Sequence, residues 1–306
     1  MTQLQHLLTL DGLDRASLLT LLDRAQSFHV LPGEPVPQHA LLKGKTVANL
    51  FFENSTRTRA SFELAARRLG AEVLNLEIAH SSAAKGESLP DTLHTLQAMS
   101  VDTFVVRHRE IGVPALLAQH ALPQTHIVNA GEAHVSHPTQ GLLDALTIRQ
   151  HKPDFGKLAV VIAGDIRHSR VVRSAVQALT TLGTRDIRLV APAEWRADDI
   201  AGRAFDDFDQ ALAGADVIMM LRIQRERMHD ETIPNELDYL RRYRLDRARL
   251  KHAKPDAIVM HPGPMNREIE ITSEVADGPQ SVIREQVANG VAVRMAVLAA
   301  LHEGRL

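Results

Sequence analysis

Small polar and basic residues follow the first buried strand of the sequence directly. The apolar run TVANLFF at 46–52 leads into ENSTRTR at 53–59. Ser55 or Asn54 is placed to cap the helix that follows, and the free N–H groups of a helix's first turn attract anions. Threonine hydroxyls and an arginine fork add charge-assisted hydrogen bonds to a phosphate. The segment therefore predicts either a seat for a dianion or a capped helix that carries surface arginines.

Other apolar runs end in similar residues. In open α/β sheets, ligands bind at the carboxyl ends of the strands, so the residues directly after each strand are informative. None of these ends shows a Ser-His-Asp order or a pair of carboxylates, and the pattern predicts a site that binds anions and polarises a carbonyl. The residues after the later runs are Arg107 and His108; His134, His137 and Gln140; Asp165, Arg167, His168 and Arg170; Arg222 and Gln224; and His261, Gly263, Pro264 and Arg267.

Sixteen histidines raise the question of a metal site. His134 and His137 are three residues apart, but no carboxylates are interleaved with them, and a proline after His137 and after His261 breaks any helical ligand face. We therefore expect no catalytic metal. The chain has no cysteine, which excludes disulfides, thiolate metal sites and a cysteine nucleophile. It also lacks both common glycine-rich nucleotide-binding motifs, so no nucleotide cofactor is expected.

Strand-length apolar runs alternate with helical patterns almost throughout the chain. The runs are apolar on both faces, as parallel strands covered by helices must be. This pattern predicts an α/β protein with two open parallel sheets in series. The expected domains are residues 1–138 and 139–285, and a C-terminal helix at 286–306 is expected to pack back on the first domain. That segment places one apolar stripe at helical spacing: Ile283, Val287, Val291, Met295 and Leu298.

The composition argues against two classes of partner. The net charge of −2 gives no bulk attraction to nucleic acid or to an anionic membrane. No stretch approaches the roughly 18 apolar residues of a membrane helix, and charges interrupt the amphipathic N-terminus where a signal peptide would be apolar. We expect a cytoplasmic protein. The most charged region, residues 222–252, is interpreted mainly as a solvated loop and helix.

With these residues in view, the chain resembles the aspartate members of the aspartate and ornithine carbamoyltransferases over almost its whole length. STRTR is shared by both branches, whereas SSAAKGES, LRIQ and HPGP favour the aspartate branch. Ornithine enzymes carry a cysteine-containing segment, and this chain has no cysteine. The matching segments are FFENSTRTRASFE, SSAAKGESLPDT, HPTQGLLD, GDIRHSRVVRS, LRIQRER, HPGPMNR and QVANGVAVRMAVL.

The resemblance implies that the first domain binds carbamoyl phosphate, that the second binds L-aspartate, and that N-carbamoyl-L-aspartate is made for pyrimidine biosynthesis without a cofactor. Arg170 and Arg222 would bind the aspartate carboxylates, with Gln224 assisting. The implied contacts to carbamoyl phosphate are Ser55, Thr56, Arg57 and Thr58 to the phosphate; Thr58, Arg107 and His137 to the carbonyl oxygen, as the catalytic set; and Gln140 with the backbone around Gly263 and Pro264 to the amide.

The resemblance also implies a homotrimer with shared sites, in which Ser81 and Lys85 reach a neighbouring chain's site. Regulatory or dihydroorotase-like partner chains are possible in such a family, and the sequence does not choose among these assemblies. One departure is Glu268, where many relatives carry glycine. Two alternatives to the aspartate reaction stay open: a carbamoyltransferase for another amine such as ornithine, and a catalytically inactive structural paralogue.

Overall fold

The computed structural model describes residues 4–30, 33–76, 86–224 and 236–304. Ser81 and Lys85 lie outside these ranges. The chain divides into two compact units, Met1–Leu143 with Ala288–Leu306, and Asp144–Val287. The domain limits expected from the sequence stay a prediction.

The first unit is built on a parallel sheet with the strand order β2-β1-β3-β4. Phe104 and Val106 are fully buried in its middle, with Leu93 and Leu117 packed in the same cluster. Each strand runs from the same edge of the sheet, because all three strand pairs are parallel. The strands are β1 (Thr46–Phe51), β2 (Glu72–Leu76), β3 (Thr103–His108) and β4 (His126–Glu132).

Helices follow these strands as the parallel connections require. The C-terminal helix completes the unit, and its second half is buried from Ala292 to Leu301. The N-terminal segment covers the outer edge of β4, where Leu7 pairs with Val128 in parallel register. The helices are α1 (Arg15–Ser27), α2 (Thr56–Arg68), α3 (Leu89–Ala98) and α4 (Val113–His120), together with parts of α5 (Pro138–His151) and α11 (Ile283–Glu303).

The second unit has its own parallel sheet, in the order β7-β6-β5-β8-β9. All residues of β5, β8 and β9 are buried, as expected for strands covered on both faces. The strands are β5 (Ala159–Ala163), β6 (Asp186–Val190), β7 (Arg203–Phe205), β8 (Val217–Met220) and β9 (Ile258–Met260). The helices are α6 (Arg170–Leu182), α7 (Phe208–Leu212), α8 (Glu236–Tyr243), α9 (Arg247–Leu250) and α10 (Ser273–Ala276).

The predicted α/β class is confirmed, with two parallel sheets and a C-terminal helix packed on the first unit. The expected apolar stripe of that helix was wrong at Val287, whose side chain is 50 % exposed. The short edge strand β7 was not predicted. Within the described ranges, no helix combines the length and the apolar character needed to cross a membrane.

Candidate functional site

Each sheet has one point where the strand order reverses. In the first unit, β2 lies on one side of β1, and the chain then continues with β3 on the other side. In the second unit, β6 and β7 lie on one side of β5, and the chain continues with β8 on the other. A crevice forms outside the carboxyl ends of the strands at such a point, and ligands of open α/β sheets bind there. The two reversal points are therefore the candidate sites.

The predicted phosphate seat lies at the first of these points, at the start of α2. Ser55 is the N-cap residue of α2, but its side chain makes no capping hydrogen bond. Ser55 therefore occupies the N-cap position expected from the sequence, but its hydroxyl does not accept a hydrogen bond from the first N–H groups of α2. Thr58, the third residue of the helix, is buried, whereas Thr56 and Arg57 are exposed. The arrangement combines a helix N-terminus, hydroxyls and a guanidinium, which is the chemistry of an anion site.

Arg57 keeps its charge at this position. Its side chain is exposed, yet the surrounding protein lowers the pKa of its guanidinium by desolvation. An arginine begins from so high a pKa that it stays protonated. Arg57 is thus an exposed, charged side chain in the first turn of α2.

Arg107 lies at the other side of the reversal point, near the end of β3. Its Nε is 3.1 Å from Oε2 of Glu53, and its side chain is only 12 % exposed. Its Nη1 donates to the backbone carbonyl of Ala130 at 3.3 Å. The guanidinium is therefore fixed between the ends of β1 and β4. Glu53, which was not predicted from the sequence, therefore holds Arg107, which was predicted.

His137 and Gln140 lie at the start of α5. Both side chains are buried, and the carbonyl of His137 accepts hydrogen bonds from the N–H groups of Gln140 (2.9 Å) and Gly141 (3.2 Å). His134, three residues earlier, is exposed. The two histidines thus have different environments. No group of three or more histidine, aspartate or glutamate side chains that could hold a metal occurs among the described residues.

Arg170 begins α6 at the reversal point of the second sheet. It is 3 % exposed, and the helix is capped by Ser169, whose Oγ accepts from the N–H of Val172 at 3.4 Å. Arg222 and Gln224 follow β8, where Nη2 of Arg222 donates to Oε1 of Gln224 at 3.2 Å. Two guanidinium groups and an amide are thereby placed after neighbouring strands.

Asp165 connects these two strand ends. Oδ1 accepts from Nδ1 of His168 at 2.8 Å, and Oδ2 accepts from the backbone N–H of Gln224 at 3.1 Å. Burial raises the pKa of Asp165, and His168 together with these hydrogen bonds opposes that rise. Gly164 permits the chain after β5 to lie close to the chain after β8, because a Cβ at position 164 would lie 2.5 Å from the carbonyl oxygen of Leu221.

The loop after β9 is held by a buried histidine. Nδ1 of His261 accepts from the N–H of Gly263 at 2.8 Å, so Nε2 carries the proton of the neutral ring and faces Oε1 of Glu270 at 3.2 Å. The same oxygen of Glu270 accepts from the N–H of Asn266 at 2.5 Å. The Gly263–Pro264 peptide bond within this loop is cis. His261 and Glu270 thus hold the loop that carries the HPGP motif through hydrogen bonds to its backbone.

The structure therefore collects the predicted residues into two groups. Those of the first unit lie at the ends of β1 and β3 and at the start of α5. Those of the second unit follow β5, β8 and β9. Glu53, Asp165 and Glu270 were not assigned roles from the sequence, since their partners (the guanidinium of Arg107, the N–H of Gln224, and His261 with Asn266) are set by the fold and leave no periodic signature. The collected residues are Ser55, Thr56, Arg57, Thr58, Arg107, His137 and Gln140 in the first group, and Arg170, Arg222, Gln224, Gly263 and Pro264 in the second.

Two protein-family models match the chain one after the other. The family model "Aspartate/ornithine carbamoyltransferase, carbamoyl-P binding domain" matches residues 5–150. The model "Aspartate/ornithine carbamoyltransferase, Asp/Orn binding domain" matches residues 156–301.

Solved structures of both branches are similar to this chain. Aspartate transcarbamoylase from Trypanosoma cruzi, in complex with carbamoyl aspartate and phosphate, is 29% identical with a TM-score of 0.83, covering 97% of this chain and 95% of that chain. Ornithine carbamoyltransferase from Pyrococcus furiosus is 29% identical with a TM-score of 0.88, covering 100% of both chains. That from Thermus thermophilus is 25% identical with a TM-score of 0.85, covering 98% and 99%. Since two consecutive family models match nearly the whole sequence, the chain belongs to the aspartate/ornithine carbamoyltransferase family.

Proposed function

We propose that the protein transfers the carbamoyl group of carbamoyl phosphate to the amino group of L-aspartate, giving N-carbamoyl-L-aspartate and phosphate. The observation that carries the choice of aspartate is the charge at the reversal point of the second sheet. Arg170, Arg222 and Gln224 follow β5 and β8 there, and this set suits two carboxylates.

Among the described residues that follow the strands of this sheet, two carboxylates are already engaged within the protein and do not suit a cationic side chain such as that of ornithine. Asp165 is fully buried, and each of its oxygens already accepts a hydrogen bond. Glu270 is also fully buried, and its Oε1 is bonded to His261 and Asn266, while burial rather than a hydrogen bond separates its Oε2 from solvent. A site for ornithine requires an acidic group that is open to the ligand. These contacts support aspartate over ornithine as the acceptor. Solved structures of both branches are similar to this chain, and several of them are aspartate transcarbamoylases.

In the proposed reaction, the neutral amine of aspartate attacks the carbonyl carbon of carbamoyl phosphate. Negative charge develops on the carbonyl oxygen, and collapse of the tetrahedral intermediate breaks the C–O bond to phosphate. Thr58, Arg107 and His137 donate to that oxygen in the proposal, and a donor aimed at a developing oxyanion typically contributes about 10²- to 10³-fold in rate. The departing phosphate accepts the amine proton, so no protein base is required.

The remaining assigned residues bind and orient the two anions. Ser55, Thr56 and Arg57 bind the phosphate with the N-terminus of α2, and Gln140 with the backbone at Gly263 and Pro264 binds the carbamoyl amide. Holding two reactants in attack geometry contributes much of the rate enhancement in such reactions. We also propose a homotrimer in which Ser81 and Lys85 enter the neighbouring chain's site.

The test is a transfer assay with purified protein, carbamoyl phosphate and either amine. Carbamoyl aspartate should form without added metal or nucleotide, and citrulline should not form from ornithine. Efficient citrulline formation would establish the ornithine alternative. Phosphate binding without transfer to either amine would identify an inactive paralogue.

A further inference from the structure

A buried polar network precedes His137 in the chain and has no part in the proposed chemistry. Its members are Asn129, fully buried in β4, and Glu132, 8 % exposed at the end of that strand. Buried polar groups cost free energy unless they are hydrogen-bonded, so the partners of these two side chains indicate what the network holds in place.

The two side chains join three separate parts of the first unit. Oε1 of Glu132 accepts from the N–H of Gly112 (2.6 Å), just before α4, and Oε2 accepts from Nδ2 of Asn129 (2.9 Å). Nδ2 of Asn129 also donates to the carbonyl of Leu8 (2.8 Å), and Oδ1 accepts from the N–H of Gly131 (2.8 Å). The end of β4 is thereby tied to α4 and to the N-terminal segment.

The backbone carries this restraint to His137. The N–H of Glu132 donates to the carbonyl of Ser136 at 2.8 Å, and the N–H of Ser136 donates back to Glu132 at 3.3 Å. Residues 132–136 therefore form a closed turn, and His137 comes directly after it. The first turn of α5 binds the carbonyl of His137 on one side, and the turn at 132–136 restrains its backbone on the other.

The chemistry of Glu132 is specific to a carboxylate. Both of its oxygens accept from N–H donors, Oε1 from Gly112 and Oε2 from Asn129. A glutamine would place its own NH₂ against one of those donors, since only one of its terminal atoms can accept. Asn129 cannot rotate its amide to compensate, because Oδ1 is bonded to Gly131 and Nδ2 to Leu8.

We propose that Glu132, held by Asn129, is a positioning residue for His137. This inference rests on the proposed contact of His137 with the carbamoyl oxygen. It does not depend on which amine is the acceptor, because that oxygen is common to both reactions. Loosening the turn should reduce transfer while leaving the phosphate seat at α2 intact.

The experiment compares Glu132→Gln with a matched control, Asp102→Asn. Asp102 also accepts from a backbone N–H, that of Thr46 at 2.9 Å, and from Nζ of Lys45 at 2.7 Å. It lies directly before β3, at the amino ends of the strands, whereas Glu132 lies at the carboxyl end of β4. For each variant we would measure kcat with both amines, the Kd of inorganic phosphate by calorimetry, and hydrogen exchange in residues 132–141. Glu132→Gln should lower kcat at least tenfold, change the phosphate Kd less than twofold, and speed exchange in that segment. Asp102→Asn should do none of these.

The outcomes separate this inference from the proposed function. Unchanged kcat in Glu132→Gln, or an equal loss in Asp102→Asn, would overturn the positioning role. If the wild-type protein transferred to neither amine, the proposed function would fail, and the exchange measurement would still decide whether Glu132 fixes the turn. Should Glu132→Gln not fold, Glu132→Asp is the second variant. It keeps the charge, but its shorter side chain moves the carboxylate oxygens away from Gly112 and Asn129. A smaller but measurable loss of kcat is then expected, and wild-type kcat would contradict the inference.

Discussion

The carboxylate of Asp165 accepts the backbone N–H of Gln224 at 3.1 Å, and this hydrogen bond extends the pairing of β5 with β8 beyond the ends of the two strands. The two strands carry the residues assigned to the substrate carboxylates, Arg170 after β5 and Arg222 after β8. Asp165 itself is fully buried. Its role is to hold the two strand ends in a fixed relation.

Replacing Asp165 by Asn tests this role. The amide must place its NH₂ against either His168 or the N–H of Gln224, and an unsatisfied buried donor costs about 1 to 3 kcal/mol. We expect KM for aspartate to rise roughly tenfold or more, because a cost of about 1.4 kcal/mol in the bound geometry corresponds to a tenfold loss of affinity. The affinity for phosphate should stay unchanged. Asp216→Asn is the control, since Asp216 accepts from the N–H of Ala159 at the opposite end of β5. Equal effects of both substitutions would indicate general destabilisation.

Two substitutions in the first unit should have separable effects. His137→Ala removes a proposed donor to the carbonyl oxygen and should lower kcat about 10²- to 10³-fold. Arg57→Ala removes a charge-assisted contact and should weaken phosphate binding by about 1.5 to 3 kcal/mol. Steady-state kinetics combined with calorimetric phosphate titration distinguishes the two. Full turnover by His137→Ala would transfer the polarising role to another residue.

The proposed trimer makes a prediction about mixed chains. If each site takes Arg57 from one chain and Lys85 from the next, Arg57→Ala and Lys85→Ala proteins should each be nearly inactive. Dissociated, mixed equally and reassembled, they should regain about a quarter of the active sites, because each intact residue is present with a probability of about one half in a head-to-tail ring. No recovery in hybrid trimers confirmed by mass spectrometry would argue against a shared site.

The stability of the first unit should fall in acid because of His302. Its ring lies against His126, with centroids 4.7 Å apart, and Nε2 is 2.8 Å from Oγ1 of Thr103. Burial, followed by the nearby His126, lowers the pKa of His302 from 6.5 to about 4, while Asp102 opposes this shift and Lys45 adds to it.

His302 binds a proton more weakly in the folded chain than in the unfolded chain. The unfolded chain takes up a proton as the pH falls through 6.5, whereas the folded chain does so only near 4. The free energy of unfolding should therefore decrease from pH 6.5 towards 4. Urea unfolding at several pH values measures the slope, and His302→Gln should make it shallower. An unchanged slope in the variant would exclude His302 as its source.

The sequence predicted the strand ends well because their signals are local. A fully apolar run followed by basic residues identifies both the strand and its carboxyl end, as at Arg107 and Arg222. The contacts that hold these arginines could not be predicted from local sequence patterns. Glu53 and Arg107 are far apart in the sequence, and their ion pair depends on β1 and β3 being neighbours. Only the strand order reveals such pairs.

Glu268 shows how a departure from a family pattern is accommodated. Its φ is 67°, in the left-handed region that favours glycine. Its carboxylate accepts from the N–H of Ser273 at 2.8 Å, at the start of α10, and this bond lowers the pKa of Glu268. Thr272, the N-cap residue of α10, makes no capping bond of its own. A side-chain hydrogen bond thus offsets the strain that glycine would avoid.

The first unit is discontinuous in sequence, and this affects the order in which the protein can be completed during synthesis. Residues Asp144–Val287 form one uninterrupted unit, so all of its strands exist once Val287 has been added. The first unit has its four strands earlier but lacks Ala288–Leu306, which include most of α11. On the ribosome, the apolar surface of the first unit that α11 covers therefore stays uncovered until Ala288–Leu306 have been added, after all strands of the second unit exist.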